Sequence, residues 1–288
     1  MSVLLIASSE PRAGRSLIAA AIAYRIGRAG TAVTLARLDG DESAAPDAAA
    51  FAALEGIVTP GKPVSAADAA KLSGDVVLEA PAGSVKALAD ALKARVIAVG
   101  HAQSAAIDAP PSTFAGSIVA RVAAADLAAV GARAGVLAVL AEDRTLAAPS
   151  VGDVAAALKA RWLAGEGDRG SFDRVMIGTI SSDAASPYFG NRARTCVITR
   201  FDKTDVQLAA LQTDIECLVI TGGGEPSPYL LDRVRSTRDE IAVLLAPDST
   251  VETMRAIEGL YGTSRFEGNG KLACAVELLD EAKFHIDI

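Results

Sequence analysis

The chain has 288 residues, 51% hydrophobic and 22% charged, with a net charge of −7 and a mean hydropathy of +0.32. That balance excludes a disordered chain and supplies apolar surface for about two domains, while the acidic total, with no Lys/Arg cluster beside aromatics, argues against a nucleic-acid surface. No apolar run reaches the roughly 18–20 residues that span a bilayer, and the run at 3–7 is too short for a signal sequence, so a cytoplasmic protein with no membrane partner is expected.

In chain order, short β-rich runs alternate with helical patterns, the signature of parallel sheets with crossover helices. The first half predicts strands at 3–7, 32–38, 76–79, 96–99, 117–122 and 136–140. After the first strand, Ile18, Ile22 and Ile26 recur every four residues while Arg25 and Arg28 face away, an amphipathic helix that Gly30 ends. The second half predicts strands at 175–180, 196–199, 217–221 and 241–245, with helices at 205–212, 228–236 and 249–261. A helix at 151–163 fits either half. The segment 142–154 and the polar, glycine-bearing stretch 164–173 mark the boundary, placed at about residue 150. The expectation is an α/β protein of two consecutive parallel-sheet domains, 1–150 and 151–288.

Cys196, Cys217 and Cys274 lie in apolar runs and read as buried small hydrophobes in a reducing compartment. With only His101 and His285 beside them, no zinc site is expected. His101 follows a predicted strand and is read either as a loop residue or as one facing the first crevice. No nucleophile–base pair is recognisable, so no catalytic residue is assigned.

A strand, a tight loop and a helix start make an anion site, because unpaired backbone N–H groups and the helix dipole face the ligand. Against the phosphate-loop pattern Gly-x4-Gly-Lys-Ser/Thr, this chain reads Ser9-x4-Gly14-Arg15-Ser16. Gly14 and the Ser16 hydroxyl, a candidate magnesium ligand, are retained; the first glycine and the lysine are not. Arginine is a planar fork rather than a compact ammonium, a change that damages phosphoryl transfer more than anion binding. The residues leave three readings open: an empty turn, binding without turnover, and active chemistry.

Two loops in the second half leave the carboxyl ends of predicted strands, 199–205 and 221–226, and rim one crevice if those strands are neighbours. Asp202, Thr204 or Asp205 can cap the following helix, or Asp202-Lys203-Thr204 can sense an anion or nucleotide. Gly222, Gly223 and Gly224 permit either a turn or the close approach of a bound group.

The first-half stretches "LLIASSEPRAGRSL", "VVLEAPAG", "GSIVARV" and "VLAVLAEDRTLAAPSV" resemble the dethiobiotin-synthetase-like P-loop domain at the amino terminus of long phosphotransacetylases. The second half, with "CVITRFDKTDVQLAAL", "CLVITGGGEPSPYLLDRV" and "IAVLLAPDSTVETMRAIE", resembles the DRTGG domain that follows it there. The resemblance implies that Asp202-Lys203-Thr204 is the name motif, with lysine for arginine, and that Glu79 matches a glutamate near a metal–phosphate centre, Asp39 or Asp41 being alternatives. Glu79 also reads as a strand-end carboxylate capping a turn, and Asp39, Asp41 and Glu42 as a solvated loop. The chain departs from the dethiobiotin pattern at Ser8, Arg15, "ARLDGD" and Ala120, the last standing where an asparagine reads adenine.

These features imply a non-catalytic regulatory or assembly protein with a degenerate nucleotide site, without the acetyltransferase domain of those enzymes. It would act by homo-oligomerisation or through a separately encoded enzyme such as an acyltransferase. The implied cofactor is ATP or another nucleotide with magnesium on Ser16 and Glu79, or none. The alternative is an ATP-dependent ligase or ATPase of the dethiobiotin synthetase class.

Overall fold

Every strand expected in the first half forms, and all six join one parallel sheet. The structure, a computed structural model, describes residues 2–83, 85–103, 109–166, 170–178, 189, 194–236 and 241–286. The chain divides into two compact units, Met1–Asp143 with Phe266–Ile288, and Arg144–Arg265.

The first unit runs β1 (Val3–Ala7), α1 (Arg15–Arg28), β2 (Val33–Arg37), α2 (Ala44–Ala52), α3 (Ala66–Ala69), β3 (Asp75–Glu79), α4 (Lys86–Leu92), β4 (Arg95–Gly100), β5 (Phe114–Val122), a 3-10 turn at Ala124–Asp126, α5 (Leu127–Gly131) and β6 (Val136–Ala141). The sheet order is β2-β3-β1-β4-β5-β6, every pairing parallel. All carboxyl ends therefore share one edge. The loop after central β1 opens between the ends of β3 and β4, where connections leave the sheet in opposite directions. Helix α1 starts from Gly14 at φ 91, a left-handed conformation suited to glycine. It buries Ile18, Ile22 and the four alanines Ala19, Ala20, Ala21 and Ala23, whose small side chains let the helix lie close to its neighbours.

The second unit runs α6 (Arg144–Ala147), α7 (Val151–Ala157), β7 (Arg161–Ala164), β8 (Arg174–Ile177), β9 (Thr195–Arg200), α8 (Thr204–Leu211), β10 (Cys217–Thr221), α9 (Pro228–Ser236), β11 (Ala242–Leu245) and α10 (Thr250–Glu258). Its sheet order is β7-β11-β10-β9-β8. Two expectations change here. The helix predicted at 151–163 ends at Ala157, because Lys159 turns the backbone to φ 49 and Arg161 and Trp162 pair with β11. That pairing is antiparallel, so this sheet is mixed rather than wholly parallel. The strand predicted at 175–180 forms as Arg174–Ile177, and its positions 179 and 180 lie outside the described residues. Helix α10 begins with a reciprocal capping box between Ser249 and Glu252.

The chain then returns to the first unit as α11 (Asn269–Glu281), so residues 266–286 pack there and not with the segment placed beside them in the sequence reading. Leu272, Ala275, Val276 and Leu279 form the buried face of α11, which lies along α1. Arg25 of α1 fastens it: its guanidinium pairs with Asp280 at 2.8 Å, donates to the Phe284 carbonyl at 3.0 Å and stacks over the Phe284 ring.

Cys196 and Cys217 are buried register partners on β9 and β10, and burial pushes the Cys196 thiol well up, which keeps it inert. Cys274 is half-buried and its thiol contacts the Asp143 carboxylate. Among the described residues no cluster suits a metal ion, and no helix is long and apolar enough to cross a membrane.

Candidate functional site

The strand order β2-β3-β1 brings together three segments far apart in sequence. Arg37 and Glu79 are register partners at the carboxyl ends of β2 and β3, and α1 starts beside them with Arg15 and Ser16. Ser16 Oγ donates to Glu79 Oε1 at 3.1 Å. Arg15 does not reach out over the loop. Its Nη1 donates to the Ala80 carbonyl at 2.7 Å, and its Nε lies 3.7 Å from Glu79 Oε1.

Arg37, which the sequence reading did not single out, is the hub. Its side chain is fully buried, with Nε 3.3 Å from Asp47 Oδ2 and 3.7 Å from Glu79 Oε1. Nη2 donates to Asp41 and to Ser43 Oγ, and Nη1 to the Leu38 carbonyl. An arginine closing the apolar strand "VTLAR", on the same strand face as Leu35, was the available signal: a buried guanidinium requires carboxylate partners.

Glu79 is 1% exposed and its Oε2 is buried without a hydrogen-bond partner. Burial pushes its carboxyl up to about 7; Arg37, Arg15 and the Ser16 hydroxyl pull the other way, and Asp47 adds to the rise. At Asp41 burial is outweighed: the Ala82 N–H, the Ser43 hydroxyl and the Arg37 guanidinium hold the carboxyl well below the usual range.

Neighbouring backbone donors at this edge are also taken by the chain's own carboxylates. Glu10 accepts from the His101 N–H at 2.7 Å, and Asp41 from the N–H groups of Ala82 at 3.0 Å and Ser43 at 3.1 Å. The Ser8 hydroxyl closes the loop on itself by accepting from the Glu10 N–H at 3.1 Å. Asp39 accepts from the Gly40 N–H, and Glu42 is exposed, as a solvated loop requires. Ser9 is exposed, and Ala120 sits half-buried in β5.

Magnesium does not fit this arrangement. The two expected ligands, the Ser16 hydroxyl and the Glu79 carboxylate, are already joined to each other, with two guanidinium nitrogens 3.7 Å from the same carboxylate oxygen. A magnesium ion keeps several waters, for which a carboxylate this deeply buried leaves no shell.

In the second unit β9 and β10 are neighbours, so the loops at 199–205 and 221–226 do share an edge. The space between them is filled by Phe201. A Cβ on Gly224 would meet its ring at 2.5 Å and one on Gly222 at 3.2 Å. The close approach that the glycines permit is to the chain's own aromatic ring. Gly222 and Gly223 have φ 91 and 67, and their N–H groups turn back to the Asp248 carbonyl at 2.8 Å and the Ala246 carbonyl at 3.4 Å. Asp202 is held by a two-point pair with Arg200, at 3.1 and 3.0 Å. The residue capping α8 is Lys203, which makes no side-chain cap, so none of the expected capping oxygens serves there. Thr204 opens α8, and beneath it buried Gln207 donates to the Arg200 carbonyl at 2.6 Å. We expect Gly224→Ala to lower stability by about 1–3 kcal/mol through overpacking alone, measured by urea unfolding, with most of the loss recovered in a Phe201→Leu background.

Residues 153–260 match the family model of the DRTGG domain. A stretch of 158 residues is 29% identical to the phosphate acetyltransferase of Nitratidesulfovibrio vulgaris, covering 52% of this chain and 22% of that protein. The chain thus spans about a fifth of the length of that curated relative. Among solved structures it is similar to the CBS and DRTGG domains of the regulatory region of Clostridium perfringens pyrophosphatase, complexed with its activator diadenosine tetraphosphate. That match has 18% identity and a TM-score of 0.36, over 44% of this chain and 56% of that one. Over residues 153–260, the chain carries a DRTGG domain.

Proposed function

We propose that this chain is a regulatory or assembly module, akin to the region preceding the catalytic domain of long phosphotransacetylases. In this reading the first unit is a phosphate-loop scaffold that no longer turns over nucleotide. The observation that carries it is the self-neutralised network: the guanidiniums of Arg15 and Arg37 are engaged by Glu79, Asp41, Asp47 and backbone carbonyls. Phosphoryl transfer needs cations aimed at the transferring group; here both are aimed inward. What stays on offer is the uncapped amino terminus of α1, which suits weak, magnesium-independent binding of a phosphate-bearing ligand. The DRTGG domain then carries the regulatory role through dimerisation or a partner enzyme, an acyltransferase by likeness to the phosphate acetyltransferase.

Calorimetry with ATP, with and without magnesium, and a phosphate-release assay test this. We expect no release above background, with or without a carboxylate substrate, and any heat of binding to be unchanged by magnesium. Magnesium-dependent release that disappears in Ser16→Ala overturns the reading in favour of an ATP-dependent ligase.

A further inference from the structure

The two edges of the six-stranded sheet are finished differently. At the β2 edge, the segment 58–64 runs alongside as a cover, with bridges Thr34 to Val58 and Leu38 to Val64 and hydrogen bonds of 2.9 Å between them. At the other edge, β6 pairs with β5 and, among the described residues, with no segment on its outer side. Its sequence, Val136-Leu137-Ala138-Val139-Leu140-Ala141, holds no charge and no proline, the devices that ordinarily blunt an edge strand.

A groove of about 430 Å³ lies here, lined by Leu127 and Gly131 from α5, Leu137 and Val139 from β6, and Leu278 and Glu281 from α11. Connections between parallel strands are right-handed. The α1 connection moves toward the β2 edge and the α5 connection toward the β6 edge, so the two helices lie on opposite faces of the sheet. Since α11 packs on α1, a groove with α5 and α11 as walls wraps around the bare edge of β6.

We propose that this edge is an isologous interface, with β6 of a second copy of this chain pairing antiparallel across it. The strand is self-complementary for such pairing. A two-fold axis perpendicular to the sheet and through Ala138 sets Ala138 against its own copy, Leu137 against Val139 and Val136 against Leu140, each pair on one face and with no charge opposed. The flanks are complementary too. Exposed Arg133 precedes the strand and exposed Glu142 follows it, so antiparallel pairing places each basic end beside the acidic end of its mate, twice over. A strand ladder alone falls short of the roughly 800 Å² per partner of a stable interface, so the apolar walls of α5 and α11 take part.

This inference rests on the assembly half of the proposed function and is independent of its anion site. Light scattering and sedimentation of the full chain at micromolar concentration test it, with circular dichroism to check folding. We expect a dimer that Val139→Lys converts to monomer. Arg133→Glu or Glu142→Arg alone should raise the dissociation constant about tenfold by setting like charges together at both ends, and the double swap should restore it. Restoration is a readout that a folding defect does not produce. A dimer that neither Val139→Lys nor the single swaps weaken overturns the β6 edge while leaving assembly standing. A monomeric wild type overturns the edge and self-assembly together, leaving a partner enzyme as the route of action.

Discussion

Replacing Arg37 with methionine is expected to lower the unfolding free energy of the first unit by about 3–5 kcal/mol, the range for removing one partner of a buried charge cluster. Methionine fills the space of the arginine stem, so the loss reports the guanidinium rather than a cavity. Asp41 and Asp47 are 24% and 14% exposed and can turn toward water, but Glu79 is 1% exposed and cannot. The penalty therefore falls chiefly on Glu79, and the variant should be more damaged at pH 8 than at pH 5. For a unit of this size the midpoint of thermal unfolding should drop by roughly 10 °C. Arg37→Lys, which keeps charge but loses the fork, should fall between. A loss below about 1 kcal/mol in urea unfolding would show that the network is not structural.

The second large effect is a pH dependence. Glu79 titrates at about 7 in the folded chain against 4.5 in its ordinary state, with burial as the leading cause. Between those values the folded state binds more protons than the unfolded one, so stability declines as pH rises through this window, and the full penalty is present above about pH 7. At 1.36 kcal/mol per pH unit it amounts to about 3 kcal/mol. Measured as the difference between wild type and Glu79→Gln, unfolding free energy should change by that amount from pH 4.5 to 7.5 and be flat above. The constant offset from altered contacts to Arg15 and Arg37 does not enter the slope. Half-buried Glu216, also pushed up by burial, contributes equally to both proteins and cancels. A pH-independent difference would sink the assignment of Glu79 as the titrating group. The same proton uptake bears on function: with Glu79 ionised, the network of two arginines and three carboxylates carries one excess negative charge, which disfavours phosphate near α1 as pH rises.

The sequence by itself determined ten of the eleven described strands and their order. Short continuous apolar runs place those strands because a strand buried on both faces writes itself locally in the sequence, and Gly14 marks the start of α1 because its backbone conformation is glycine's own. That Arg15 departs from lysine, and that the 199–205 and 221–226 loops are the edge features of the DRTGG half, were equally legible. Only the tertiary structure decided what those residues touch. The order β2-β3-β1 sets Arg37 against Glu79 and turns Arg15 inward, a pairing of charges some 40 to 60 residues apart that no local period encodes. The return of α11 onto α1, the antiparallel β7 and the packing of Phe201 onto Gly224 have the same origin. A pattern states which face of an element is apolar; which partner covers it is settled by strand order, crossover hand and close packing across the whole chain.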